Sequence, residues 1–309
     1  MKYSEGSRSD QLSHRARAIR TIVKEFNNSK LFESKSDMLS RNKSEMDVDY
    51  KYPEHLSAER ISRKNYVMEK LTWKDSESKW AILHLHGGGY VMPIRKVHKK
   101  IAGLYSEVGG GATVYTIDYR VAPENRFPAA LEDAMDAYEY LIEEEGYDSD
   151  CIILAGDSAG GGLAMALCHV LKSMWRPLPA GIVAMSPWTD VTGSGSSYEE
   201  NFSIDPVFGN QKADVIFDNP YVGEVDPRDP RLSPLYGDFM GFPPMLIQVG
   251  SDEMLLSDSV SVAEKARAAG VKVRITVYDG MFHVFQLAGT LMKESKKAWA
   301  EVKRFIQEI

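Results

Sequence analysis

The sequence predicts an α/β fold built on a mostly parallel sheet, and three observations carry that reading. Short apolar runs recur from about residue 65 onward, helical stretches and Gly/Pro turns alternate with them, and several runs are apolar throughout rather than in alternation. Continuous apolar strands are what a sheet covered on both faces requires, and strand–helix alternation is the βαβ rhythm.

Taken in order, the expected strands are Asn65 to Trp73, Trp80 to His86, Ala112 to Tyr119, Cys151 to Ala155, Gly181 to Ser186, Met245 to Gly250 and Val271 to Tyr278. The expected helices between them are Pro128 to Glu144, Ala159 to Ser173, Ser257 to Ala269 and Leu291 to Ile309. Pro128 suits a first helical turn, where its missing N–H costs nothing. The interval from Ser186 to Met245 is too long for a structureless loop and predicts an inserted cap, at about residues 190–232, with short helices of its own. Residues 1–50 carry no strand signal. Leu12, Ala16, Ala18, Ile19, Ile22, Val23 and Phe26 give that segment one apolar helical face, so it is expected to form cap helices over the mouth of a pocket, ahead of a main domain at 51–309.

Composition narrows the function. The 309 residues include 37 Lys and Arg against 44 Asp and Glu, a net charge of -7 with basic residues scattered, which argues against a nucleic-acid partner. The polar start, Met1 to Asp10, lacks the apolar core of a secretory signal, and no apolar run reaches membrane-spanning length. A cytoplasmic protein without stable membrane insertion is therefore expected. Cys151 and Cys168 lie in apolar segments outside any metal-ligand spacing and are expected to be reduced core residues. No metal or other cofactor is expected.

Chemistry concentrates in a few segments. Gly156-Asp157-Ser158-Ala159-Gly160 sits between an expected strand and an expected helix, with the G-x-S-x-G spacing that presents a serine hydroxyl on a sharp turn. His86-Gly87-Gly88-Gly89 follows another strand, and a glycine run lets backbone amides approach a developing oxyanion without a Cβ in the way. A nucleophilic serine needs a base and the base an orienting acid. His283 follows the last strand and Asp252 the strand before it, the loops where open α/β sheets gather their sites. Glu253 and Asp258 stand as rivals for the acid. His86 is expected to hydrogen-bond the glycine loop. His14, His55, His98 and His169 read as surface or packing residues, and Asp157 as pointing away from the nucleophile.

These motifs, with Asp118-Tyr-Arg-Val-Ala-Pro-Glu124, Phe127-Pro-Ala-Ala130, Ser186-Pro-Trp-Thr-Asp190 and Ser233-Pro234, resemble the bacterial hormone-sensitive-lipase family of carboxylesterases, in its GDSAG subgroup, from His84 to about Phe285. The resemblance implies an α/β-hydrolase sheet of about eight strands and a helical cap. It also implies hydrolysis of short to medium acyl esters through Ser158, His283 and Asp252. Oxyanion donors would fall on Gly88, Gly89 and Ala159, and the acyl pocket on Trp188 and Val284. Its implied partners are a small-molecule ester and a second copy of the chain in a homodimer. The same triad would serve an amidase. The resemblance also reaches gibberellin-receptor-like proteins, which bind without turnover but lose the histidine present here as His283.

Overall fold

The computed structural model describes residues 12–28, 43–209 and 214–309. Its sheet has eight strands: β1 Leu56–Ser62, β2 Val67–Trp73, β3 Ala81–Leu85, β4 Thr113–Asp118, β5 Ile152–Asp157, β6 Gly181–Met185, β7 Met245–Gly250 and β8 Val273–Tyr278. They lie in the order β1-β2-β4-β3-β5-β6-β7-β8. The pairs β1/β2 and β2/β4 are antiparallel and all others parallel.

Every residue of β3, β5, β6 and β7 is buried, because helices cover both faces. Leu83, Leu154, Ile182 and Ile247 pack on one face beneath α3 (Ala129–Glu143), α4 (Ala159–Ser173) and α7 (Leu256–Ala268). Ile82, Ile153, Val183 and Leu246 alternate with them and pack on the other, under α2 (Lys96–Val108) and α8 (Lys293–Glu308). On α8 this takes Trp299, Val302, Phe305 and Ile306 inward, while Lys296, Lys297, Lys303 and Arg304 face solvent. Truncating a strand residue such as Ile153 to Ala should cost about 2–5 kcal/mol.

Two elements go beyond the sequence reading. Strand β1 reads Leu-Ser-Ala-Glu-Arg-Ile-Ser and buries only Leu56 fully; as a polar edge strand it presents no apolar run to detect. Helix α2 carries Val97, Ile101, Leu104, Tyr105 and Val108 at helical spacing, a signal present in the sequence but absent from the helices expected. Cys168 is buried and Cys151 only half-buried; neither is bonded to another cysteine. No helix among the described residues is long and apolar enough to cross a membrane.

Helix α1 (His14–Asn28) packs through Ala16, Ile19 and Val23, with Leu12 just ahead of it, onto Met281, Phe282, Phe285 and Met292, and Ser13 bonds Glu294 of α8 through both its amide and its hydroxyl. Its buried face is narrower than expected, since Ala18 and Ile22 are exposed. The side chain of Phe26 and residues 1–11 and 29–42 lie outside the described set. Among its described residues the long interval contains two short α-helices, α5 (Ser197–Glu200) and α6 (Asp214–Phe217), and a 3-10 turn at Pro234–Tyr236.

Candidate active site

Parallel register brings the C-terminal ends of the central strands to one edge: Leu85 stands opposite Gly156, Asp157 opposite Met185, and Gly250 opposite Tyr278. The segments continuing from these ends carry Ser158, Ser186, Glu253 and His283.

Ser158 joins β5 to α4 with φ 53 and ψ -122, a conformation rare for a residue with a side chain. The surroundings hold it there. The Ser158 amide donates to Met185 O at 2.9 Å, and the Trp188 and Gly161 amides donate to Ser158 O. Gly160 is required by close approach, because a Cβ there would lie 1.9 Å from Leu85 O. The turn presses the hydroxyl toward His283, whose Nε2 lies 2.9 Å from Ser158 Oγ. On the far side of the ring, Nδ1 lies 2.9 Å from Glu253 Oε2. With Nδ1–H donating to the carboxylate, Nε2 is left to accept the serine proton.

The structure therefore corrects the expected acid. Asp252 turns away from the histidine: its Oδ2 pairs with Arg20 Nη2 at 2.9 Å, and its Oδ1 accepts from Ser251 Oγ. Adjacent residues on a loop project in different directions, and the turn after β7 gives Glu253 the inward one. Its other oxygen, Oε1, accepts from the Ser186 hydroxyl at 2.7 Å and from the Gly250 amide. Glu253 is fully buried, and burial pushes its carboxyl above the usual range against the pull of His283, the Gly250 amide and Ser186. The other rival, Asp258, accepts the amides of Thr189 and Asp190 instead; burial, helped by nearby Asp190, pushes it up to about 7.

Gly88 and Gly89 border Ser158 in a cavity of about 260 Å³. Gly89 has φ +61, and a Cβ there would lie 2.2 Å from Val215 Cγ2. Ala159 opens α4, so its amide is among those a helix leaves without an internal partner. Trp188 and Val284 both border the same cavity, the latter in a left-handed conformation with its amide donating to Ser186 Oγ. The remaining walls are largely apolar: Met92, Val207, Phe208, Val215, Ile216 and Leu287. Four of these come from the long interval after β6, whose Asn219 Nδ2 also donates to Gly89 O at 2.7 Å. No described residue of α1 borders the cavity; the helix stands behind the segment carrying His283.

A buried polar cluster backs the glycine run. His86 Nδ1 donates to Gly87 O at 2.7 Å, its ring stacks on Tyr119 at 4.1 Å, and the Tyr119 hydroxyl donates to His86 O. Burial lowers the His86 pKa and takes that of His98, stacked on it, down to about 3. His98 and His169 are packing residues, whereas His14 and His55 are exposed. Asp157 is buried beside His84 and also borders the cavity; burial works against its charge, but His84, His98 and His86 outweigh it and lower its pKa.

A strained serine on a strand–helix turn, hydrogen-bonded to a histidine that a buried carboxylate orients, defines a serine hydrolase of α/β architecture. The chain belongs to the alpha/beta hydrolase fold family, whose profile matches residues 82–287, and within it to carboxylesterases of the bacterial hormone-sensitive-lipase type. It is 37% identical over 217 residues to an acetyl-hydrolase of Streptomyces hygroscopicus, covering 70% of this chain and 72% of that one. It is 35% identical to an esterase of Acinetobacter venetianus, covering 72% and 73%. A crystal structure of an esterase from the bacterial hormone-sensitive lipase family superposes with TM-score 0.82 at 32% identity, covering 96% of this chain and 98% of the other.

Proposed function

We propose that the protein hydrolyses small esters of short to medium acyl chains in the cytoplasm, with Ser158 as nucleophile, His283 as general base and Glu253 as the orienting acid. The observation that carries this reading is the unbroken array from Ser158 Oγ through the His283 ring to Glu253, 2.9 Å at each step, bordering an apolar cavity.

In this mechanism the serine oxygen attacks the ester carbonyl while its proton passes to His283 Nε2. Glu253, held by Ser186 and Gly250, stabilises the imidazolium that forms. The tetrahedral oxyanion lies against the amides of Gly88, Gly89 and Ala159. His283 then protonates the departing alcohol. Water attacks the acyl-enzyme by the same route in reverse, freeing the acid and Ser158. The apolar wall formed by Val207, Phe208, Val215 and Ile216 limits the length of acyl chain that fits, and the interval that carries them serves as the cap.

The test is a series of p-nitrophenyl esters from acetate to decanoate, run beside the matching anilides, with Ser158→Ala as control. The expected result is a short- to medium-chain optimum, esters far ahead of anilides, and Ser158→Ala reduced by about 10⁴ or more. A Ser158→Ala protein keeping a tenth of wild-type turnover, by rough count, would remove the mechanism.

A further inference from the structure

One buried carboxylate ties the cavity wall to the loop that carries the acid. Asp205 is 1% exposed. Its Oδ1 accepts the amides of Val207 at 2.7 Å and Phe208 at 3.2 Å, two residues that border the cavity. Its Oδ2 accepts the amide of Met254 at 2.8 Å, the residue next to Glu253. Phe208 in turn rests on the His283 ring, with centroids 4.8 Å apart. One turn earlier, Asn201 Nδ2 donates to Ser251 O at 3.0 Å and to Glu253 O at 2.7 Å, and hydrogen-bonds neither Val207 nor Phe208. Arg20 adds a third clamp, bonding Ile204 O at 2.9 Å and Gly280 O at 3.0 Å while pairing with Asp252.

We infer that Asp205 is a positioning residue that couples the shape of the acyl-binding wall to the placement of Glu253 against His283. This rests on the triad proposed above and adds a specificity role for a residue outside it. The carboxylate is suited to the task because it offers two acceptor oxygens to two sets of amides that share no other side chain. An asparagine there has one oxygen only. Whichever way its amide turns, an NH₂ faces the N–H groups on one side, so either the wall or the acid loop loses its anchor. The Asn201 side chain hydrogen-bonds the acid loop alone, which makes it the matched comparison.

The experiment labels wild type, Asp205→Asn and Asn201→Ala to completion with a fluorophosphonate to count competent sites, then measures kcat per labelled site across the p-nitrophenyl ester series. Asp205→Asn should lose about tenfold or more in kcat per labelled site and shift its acyl-chain profile. Asn201→Ala should lose kcat with the wild-type profile retained. A merely structural Asp205 would lower the labelled fraction and Tm while leaving both kcat per site and profile at wild type, and that result overturns the inference. Should Asp205→Asn not fold, hydrogen exchange on the wild-type protein decides. Phosphonate binding should raise protection of the Val207–Phe208 and Met254 amides together, and protection of one set without the other overturns the coupling. Absence of labelling at Ser158 in wild type would instead refute the proposed triad.

Discussion

The carboxylate of Glu253 lies 2.9 Å from His283 Nδ1, whereas that of Asp252, one residue earlier, lies 2.9 Å from Arg20 Nη2. Neighbouring acids thus divide two tasks, orienting the imidazole and fastening helix α1. Glu253→Gln keeps the shape but offers the imidazole an amide, favouring the wrong tautomer, and should lower kcat on the order of 10⁴. Asp252→Asn breaks one ion pair at the edge of the site and should cost no more than about tenfold. Steady-state kinetics on the two variants checks the assignment, and the reverse ranking would overturn it.

Ser186 supports the acid from beneath. Its hydroxyl donates to Glu253 Oε1 at 2.7 Å and accepts from the Val284 amide at 3.1 Å. Ser186→Ala removes both bonds in a buried setting. It should cost about 1–3 kcal/mol of stability and lower kcat by roughly 10–10² through a misplaced carboxylate. Chemical denaturation and ester kinetics read the two effects separately; wild-type values in both would remove Ser186 from the supporting set.

Val215 narrows the cavity beside Gly89, its Cγ2 lying 2.2 Å from where a Cβ on that glycine would fall. Val215→Ala should move the preferred acyl chain upward by one or two carbons, at a stability cost of about 1 kcal/mol for a half-buried side chain. An unchanged chain-length profile would show that the acyl chain lies elsewhere.

His169 provides a pH dependence of stability. Its ring donates Nε2–H to Pro234 O at 3.1 Å between Phe239 and Phe242, and burial takes its pKa down to about 4. The unfolded chain holds a histidine of ordinary pKa near 6.5, so between those values the unfolded state binds the extra proton. Native stability therefore falls as pH drops, by up to about 1.4 kcal/mol per pH unit from this group. His169→Gln should lose that slope. Its stability relative to wild type should improve as pH drops from roughly 6.5 toward 4.5 in urea unfolding. Parallel curves for the two proteins over that range would contradict a half-buried histidine that stays neutral in the folded protein.

Much of this was legible in the sequence because it rests on local signals. The apolar runs of β3, β5, β6 and β7 require a doubly covered sheet, and the glycines around Ser158 mark a turn that excludes Cβ atoms. His283 was readable from its place after the last strand. The acid is not legible in the same way, because Asp252 and Glu253 differ by one step along a loop, where side-chain direction depends on contacts from distant segments: Arg20 on α1, and Asn201 and Asp205 in the long interval. Those partners lie far away in the chain and carry no motif. Strand β1 escaped for a different reason, since its exposed, polar face gives no periodic signal.

Stoichiometric labelling asks whether Ser158 is the nucleophile of an ester hydrolase. The purified protein is titrated with a fluorophosphonate, residual p-nitrophenyl butyrate hydrolysis is followed, and the adduct is mapped by peptide mass spectrometry. One adduct per chain is expected, on Ser158, with activity lost in proportion to labelling. Full labelling with activity retained, or inactivation with the adduct on another residue, would contradict it.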